Sequence, residues 1–560
     1  MAFQYWLKDN SNRILPTVLH RYARWAVIPI TIAGAFLICS FEGSVNAQDD
    51  PLKQHYTAAA AFLARGDQLL AAEEYKTFLA EALHRVANAE AQISESSKSA
   101  ELFAQALELN GKDLALLNDY AALRFDQDRL SDAEALLNSA LTIDLNDVRA
   151  HLLLGRVLFN TEKYLAAKPH LEFAFSHGSA REVWSLLGAT DLKLQRLTAA
   201  QQLFSKVLQL LGEKASTHFR IGLAYNTGDY PDKAIVELKK AIASDPKALD
   251  QHYYLGLAYL GHNPEAGFAR AEPEFRAELA LSPNDFRSHY MLGYIAVKQR
   301  RTKEAEAELA SAHALKPEDI GTLLLMAELF TDTDRDSEAE PVLHRAIELL
   351  GSSSSVNYEI VRAHYMLGRV LQHEGRTEEA ARELAVSEEL RLKFRAVSGG
   401  ASKESDAPNP KAAYEETERK PISAQERARA EAFVREISSP IAESFYNLGA
   451  IAANRQECPA CVSYFQRAAE WNPSLQGLDR NLGSAAFLCK QYEQAISPLS
   501  KYLEQHADDV TVRSELGLSL FKKEDYEGVV RVLGPIKSAL SASPDLMQAY
   551  STALTKLGRQ

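Results

Sequence analysis

The chain has 560 residues, 46% of them hydrophobic and 24% charged, with a formal net charge of −13 and four cysteines. Apolar surface is plentiful but not gathered into many long runs, which excludes a largely disordered, collagen-like or many-spanning membrane chain. The acidic balance gives no footing for nucleic acid, and so few cysteines exclude a disulfide-stapled scaffold.

Residues 1–47 stand apart from the rest. Lys8, Arg13, Arg21 and Arg24 precede an apolar run from Trp25 to Phe41, and Val45-Asn46-Ala47 offers a small-residue exit. These are the parts of a secretory signal peptide, with cleavage expected after Ala47. The run is shorter than the ~20 residues a spanning helix needs. An uncleaved anchor in the inner membrane, with the repeats facing outward, is the alternative. In both cases the basic flank keeps its own end in the cytoplasm and sends the remainder out. Residues 1–47 carry a net +2, which leaves −15 on the exported part. The sequence has no Asn-x-Ser/Thr acceptor, which favours a bacterial envelope over a glycosylating pathway. A periplasmic or secreted protein is the expectation.

Length alone suggests roughly three to four domains, but internal repetition replaces that count. Leu-Gly or Ile-Gly recurs at Leu154-Gly155, Leu187-Gly188, Ile221-Gly222, Leu255-Gly256, Leu292-Gly293, Leu367-Gly368, Leu448-Gly449, Leu482-Gly483 and Leu516-Gly517. Twelve residues after the glycine comes a small residue, as at Ala167, Ala200, Ala234, Ala305, Ala380, Cys461 and Ala495. Four further on stands a bulky apolar one, as at Leu171, Phe204, Leu238, Leu309, Leu384, Phe465 and Leu499. Several units close on proline, at Pro246, Pro283, Pro317 and Pro473. In the unit after Gly256, an insertion near Pro264–Phe268 moves the small residue to Ala271.

This pattern resembles the tetratricopeptide repeat, the 34-residue helix-turn-helix unit. The resemblance covers about residues 55–395 and 440–560. It implies an all-α protein, a right-handed α-solenoid of tandem helix pairs, with about twelve copies in place of separate cores. The glycine of the first helix and the small residue of the second are expected to mark their closest crossing. Gly351 to Ser355 widens one loop. A polar Gly/Ser/Pro tract then suggests the division 52–395 for a first block, 396–421 for a linker, and 422–560 for a lead-in helix and second block. The tract could equally be a loop excursion within one solenoid.

In this family the first helices line a concave groove that commonly holds peptides or partner helices. The resemblance places Phe219, Asn226, Tyr253, Arg287, Tyr290, Tyr294, Lys298, Arg362, Tyr365, Arg369 and His373 in that groove. Tyrosine with arginine is a hot-spot composition, although several of these tyrosines could instead pack between repeats. No lysine stands three residues before any of these glycines, so the family's clamp for a C-terminal carboxylate finds no support.

No phosphate loop, zinc-protease helix or serine elbow is present, so no catalytic residue, metal site or cofactor is expected. The fifteen histidines show no ligand spacing and read as helix-surface residues. Cys458-Pro-Ala-Cys461 is the one suggestive cluster, with Cys489 near the end of the next repeat's first helix. It reads as structural thiols, a disulfide involving Cys458, or a redox or metal pair. The functional expectation is a non-catalytic interaction scaffold of the cell envelope with a protein or peptide partner. It touches no nucleic acid, and membrane only through an uncleaved N-terminal segment. A component of polysaccharide export or assembly and a structural envelope spacer are the alternatives.

Overall fold

The computed structural model describes residues 50–93, 96–178, 180–262, 264–351, 358–398, 423–541 and 543–559. The expected signal segment, the serine run and most of the expected linker lie outside the described residues. Among the described residues there are helices and no strand. The chain forms two compact units, one of residues up to Leu145 together with those from Pro421 onward, the other Asn146–Lys420.

The first unit begins with α1 (Pro51–Arg65), α2 (Gln68–Ile93), α3 (Ser96–Leu109), α4 (Leu114–Asp126) and α5 (Leu130–Ile143). The second unit runs through α6 (Val148–Asn160), α7 (Tyr164–Ser176), α8 (Ala180–Lys193), α9 (Leu197–Leu211), α10 (Ala215–Thr227) and α11 (Pro231–Ser244). It continues with α12 (Gln251–His262), α13 (Pro264–Leu281), α14 (Phe286–Lys298), α15 (Thr302–Leu315), α16 (Ile320–Asp332), α17 (Asp336–Gly351), α18 (Tyr358–His373) and α19 (Thr377–Ser398). The chain then returns to the first unit with α20 (Ala424–Asn454), α21 (Cys458–Trp471), α22 (Leu478–Leu488), α23 (Tyr492–Gln505), α24 (Val510–Lys522) and α25 (Tyr526–Leu533). The short α26 (Lys537–Leu540) and the terminal α27 (Pro544–Lys556) complete it.

Local chemistry sets the helix limits. Asp113, Asp147, Asp285, Asp319 and Asp509 each accept backbone N–H bonds at the start of a first helix, satisfying donors that have no intrahelical partner. First helices end on a left-handed residue seven after the glycine: Glu162, Gln195, Asp229, Arg300, Gln456, Lys490 and Glu524 all have φ near +60°. There the chain reverses with bonds such as Lys163 N–H to Leu158 C=O at 2.8 Å, which close the helix end.

The repeat's steric logic differs from the expected one. A Cβ built on Gly155, Gly222, Gly293, Gly368 or Gly483 would lie 2.5–2.7 Å from the leucine sixteen residues on. On Gly188 and Gly449 it would meet Phe204 and Phe465. The glycine therefore seats the bulky residue of the second helix rather than its alanine. The alanines one turn earlier, such as Ala167, Ala200 and Ala234, are fully buried.

The histidines are also regular. His218, His252, His289 and His364, each four residues before a glycine, place Nδ1 2.6–2.7 Å from Glu237, Glu274, Glu308 and Glu383 on the paired helix. Between repeats, Arg301, Arg335 and Arg376 reach back to Glu272, Glu306 and Glu340 at 2.5–2.8 Å. These histidines bind the two helices of a repeat and these arginines bind neighbouring repeats, instead of lying free on the surface.

The two compact units do not follow the expected blocks 52–395 and 422–560. Helix α20 packs along α2, and Ile437, Ile441, Phe445 and Leu448 share a core with Tyr75, Phe78, Leu79 and Leu83. Tyr56 donates to Glu443 at 2.5 Å, and Asn447 donates to the Tyr75 hydroxyl at 2.9 Å. Burial pushes both phenols well above the ordinary tyrosine range. The second set of repeats is therefore stacked on the first helices of the chain. In the second unit, α19 carries a polar face: Leu350 of α17 is buried, whereas Arg391 of α19 is half-exposed and paired with Glu388.

Glu278 contributes a buried carboxylate that accepts the N–H groups of Asp250 (2.7 Å) and Tyr253 (3.3 Å) at the start of α12. Burial raises its pKa, with Asp250 and Asp285 adding to the effect. A raised folded value contributes stability that is full below the unfolded pKa and lost as pH rises through the folded one. Thermal melts of Glu278→Gln should therefore gain on the native chain as pH rises from about 4.5 towards 7. A constant offset across that window would contradict this.

Candidate functional site

The eleven residues expected to line a groove do not share one environment. Asn226 and Tyr253 are buried, with Tyr253 only 5% exposed. Phe219 packs edge-on to Tyr254 at 5.5 Å between centroids, and Tyr294 edge-on to Phe268 at 6.3 Å. A Cβ on Gly321 of the next repeat would lie 3.2 Å from the Tyr290 hydroxyl, so Tyr290 fills the space between repeats. Its phenol is pushed up by burial and by the nearby Asp319.

The cations of the set are largely spoken for. Arg287 is clasped by Asp250 and Asp285 and lies 4.6 Å from the centre of the Tyr253 ring. Burial opposes its charge, but the two carboxylates keep it firmly protonated. Glu328 holds Lys298 at 2.6 Å and Arg362 at 2.5 Å, so one carboxylate ties three successive repeats. His373 reaches Asp336 at 3.3 Å. The expected cation fork for a ligand carboxylate is thus mostly neutralised within the protein. Tyr365, half exposed, and Arg369 on α18 remain open to solvent. Tyr365 stands three residues before its glycine, where Tyr253 and Tyr290 are covered by the following repeat.

Residues 215–247 and 265–320 each match a tetratricopeptide-repeat family model. These two segments are tetratricopeptide repeats, and the glycine–leucine seats and paired helices continue the same architecture beyond them. No curated protein matches the sequence. Similar solved structures include YrrB, described as a tetratricopeptide-repeat protein with an unusual peptide-binding site, at 23% identity and TM-score 0.24 over 34% of this chain and 96% of that one. A Parabacteroides merdae tetratricopeptide-repeat protein matches at 13% identity and TM-score 0.35, over 50% of this chain and 99% of its own. Yeast Tom70 matches at 12% identity and TM-score 0.30, over 84% and 98%. The tetratricopeptide-repeat architecture makes the chain a protein-interaction scaffold.

Two further clusters lie in the first unit. Cys458 and Cys489 form a disulfide, with Cα atoms 5.3 Å apart, which ties the start of α21 to the end of α22. Cys461 is a free, buried thiol. Among the described residues, Glu81, His84 and Asp113 could bring three ligand atoms within 4.8 Å of one another. Each is already engaged, by Arg85, by Asp119 and by the Leu116 N–H respectively. The histidine–glutamate ladder and the left-handed turn residues were not legible at first, although histidine stands four before Gly155, Gly222, Gly256, Gly293 and Gly368.

Proposed function

We propose that this protein is a non-catalytic scaffold of the cell envelope that holds an extended or helical polypeptide along the first helices of the second unit. The observation that carries the reading is the open pair Tyr365 and Arg369 on α18. They continue a stripe, at −6, −3 and +1 from successive glycines, that elsewhere is occupied by half-buried Phe219, Tyr294 and Arg362. A rigid aromatic surface beside an unengaged guanidinium suits a polypeptide with apolar side chains and an occasional carboxylate. The basic, apolar and small-residue order of residues 1–47 supports export, and a disulfide between Cys458 and Cys489 suits an oxidising compartment. Cell fractionation with N-terminal sequencing tests the location.

Reversing Arg287 or Arg362 would disturb repeat packing and is a poor probe of binding. Tyr365→Ala with Arg369→Ala should leave the melting curve within about 0.5 kcal/mol of native, since both side chains are solvent-facing. The same pair should cut capture of the crosslinked partner at least tenfold. Undiminished capture would move the interaction away from α18.

A further inference from the structure

The three cysteines of the second repeat block form a connected sulfur cluster. The thiol of Cys461 lies 3.9 Å from Sγ of Cys489 and 3.2 Å from the Cys458 carbonyl oxygen, which accepts its hydrogen bond. Cys489 is already joined to Cys458. A third sulfur is thus in contact with the disulfide, on the side of the shared partner. Cys458 is half-buried at the first residue of α21, while Cys461 is 3% exposed one turn further in.

We infer that Cys458, Cys461 and Cys489 constitute a thiol–disulfide exchange site that takes small-molecule disulfides, with Cys461 as the internal attacking thiol and Cys458 as the thiol presented outward. Cys461 gives its proton to solvent and its thiolate attacks Cys489 Sγ. The Cys461–Cys489 bond forms as the Cys458–Cys489 bond breaks, and Cys458 leaves as the thiolate. Nothing is oxidised or reduced in this step. The released thiolate then attacks a disulfide RS–SR, forming Cys458–SR and expelling RS⁻.

The direction follows from the two environments. Burial pushes the Cys461 thiol up, so a negative charge there is disfavoured. At the start of α21 the free amide groups and helix dipole favour a thiolate, which makes Cys458 the better leaving group. Exchange therefore moves the unpaired sulfur from a sealed position to one that a small reagent can meet. The exchange is limited by the small fraction of the buried thiol that is deprotonated. Its rate should climb about tenfold per pH unit around neutrality, because the thiolate fraction does so well below the pKa.

The test uses the full-length native protein with glutathione disulfide as probe. Acid-quenched samples are mapped by mass spectrometry, with Cys39 distinguished by its own peptide. The expected product carries glutathione on Cys458 and a Cys461–Cys489 bond, accumulating about tenfold faster at pH 8 than at pH 7. Cys461→Ala should keep the fold, since alanine holds this position in most repeats, and should label Cys458 at least tenfold more slowly. Glutathione on Cys461, equal labelling of Cys458 in Cys461→Ala, or no adduct in the native chain would each overturn the assignment.

Discussion

Gly256→Leu should lower the stability of the second unit by about 3 kcal/mol, the upper end of what overpacking a core usually costs. A Cβ alone at this position would lie 2.7 Å from both Cε1 and Cζ of Phe275 and 3.1 Å from Cδ1. Real side chains do not tolerate that approach. The obstacle is a rigid, fully buried ring, itself packed against Tyr253 at 5.7 Å between centroids. A flexible neighbour could swing aside, but Phe275 can move only by shifting α13 away from α12. Gly261, near the end of the same helix, supplies the contrast, since a Cβ there meets only Pro231, at 3.7 Å. Gly261→Ala should be neutral or better, because alanine is the stronger helix former. Hydrogen exchange should show the leucine variant's loss concentrated in α12 and α13, since each repeat leans only on its neighbours. Equal melting of both variants would contradict the glycine–ring seat.

Much of the fold was open to reading because the repeat is enforced sterically, position by position. A Cβ would collide with Leu171 or Phe204 where each sits on its glycine, and two units that lack the glycine carry the next smallest residue there, Ala121 and Ala327, so the spacing stays visible. The alanine seemed the obvious partner of that glycine because both are small. In fact it is the large residue four further on that needs the missing side chain. The candidate site was harder to read for a related reason. Tyr253, Tyr290 and Arg287 have the composition of a binding surface, yet a following repeat covers the two tyrosines and Asp250 with Asp285 clasps the arginine. Whether an aromatic residue three before the glycine meets solvent depends on its neighbour, as Tyr365 shows by standing half exposed. Nor did the local pattern reveal that the second set of repeats stacks on α2. That contact joins residues such as Tyr75 and Asn447, far apart in sequence, and periodicity within a unit carries no information about which unit comes next to it.

That long-range stacking predicts how the chain should fail when shortened. A protein ending at Ser398 would keep every described helix of the second unit, α6 to α19, and lose α20 to α27 from the first. Phe445, Ile441, Ile437 and Leu448 would be stripped from Tyr75, Phe78, Leu79 and Leu83, all now less than 3% exposed. Each such large side chain contributes about 1.5–3 kcal/mol when buried, so four exposed together cost about 6–12 kcal/mol, comparable to the whole stability of a typical domain. The Tyr75 hydroxyl would lose Asn447, Tyr56 would lose Glu443, and Glu108 would lose its ion pair with Arg467. Amides in α1 to α4 should then exchange at least a hundredfold faster than in the full chain. Those of α10 to α18 should keep their protection, because repeat stability is set by nearest neighbours. If the first helices were instead an ordinary leading end of a single solenoid, the truncation would leave them protected and expose only the surface at α19. Protection in α2 therefore separates the two architectures.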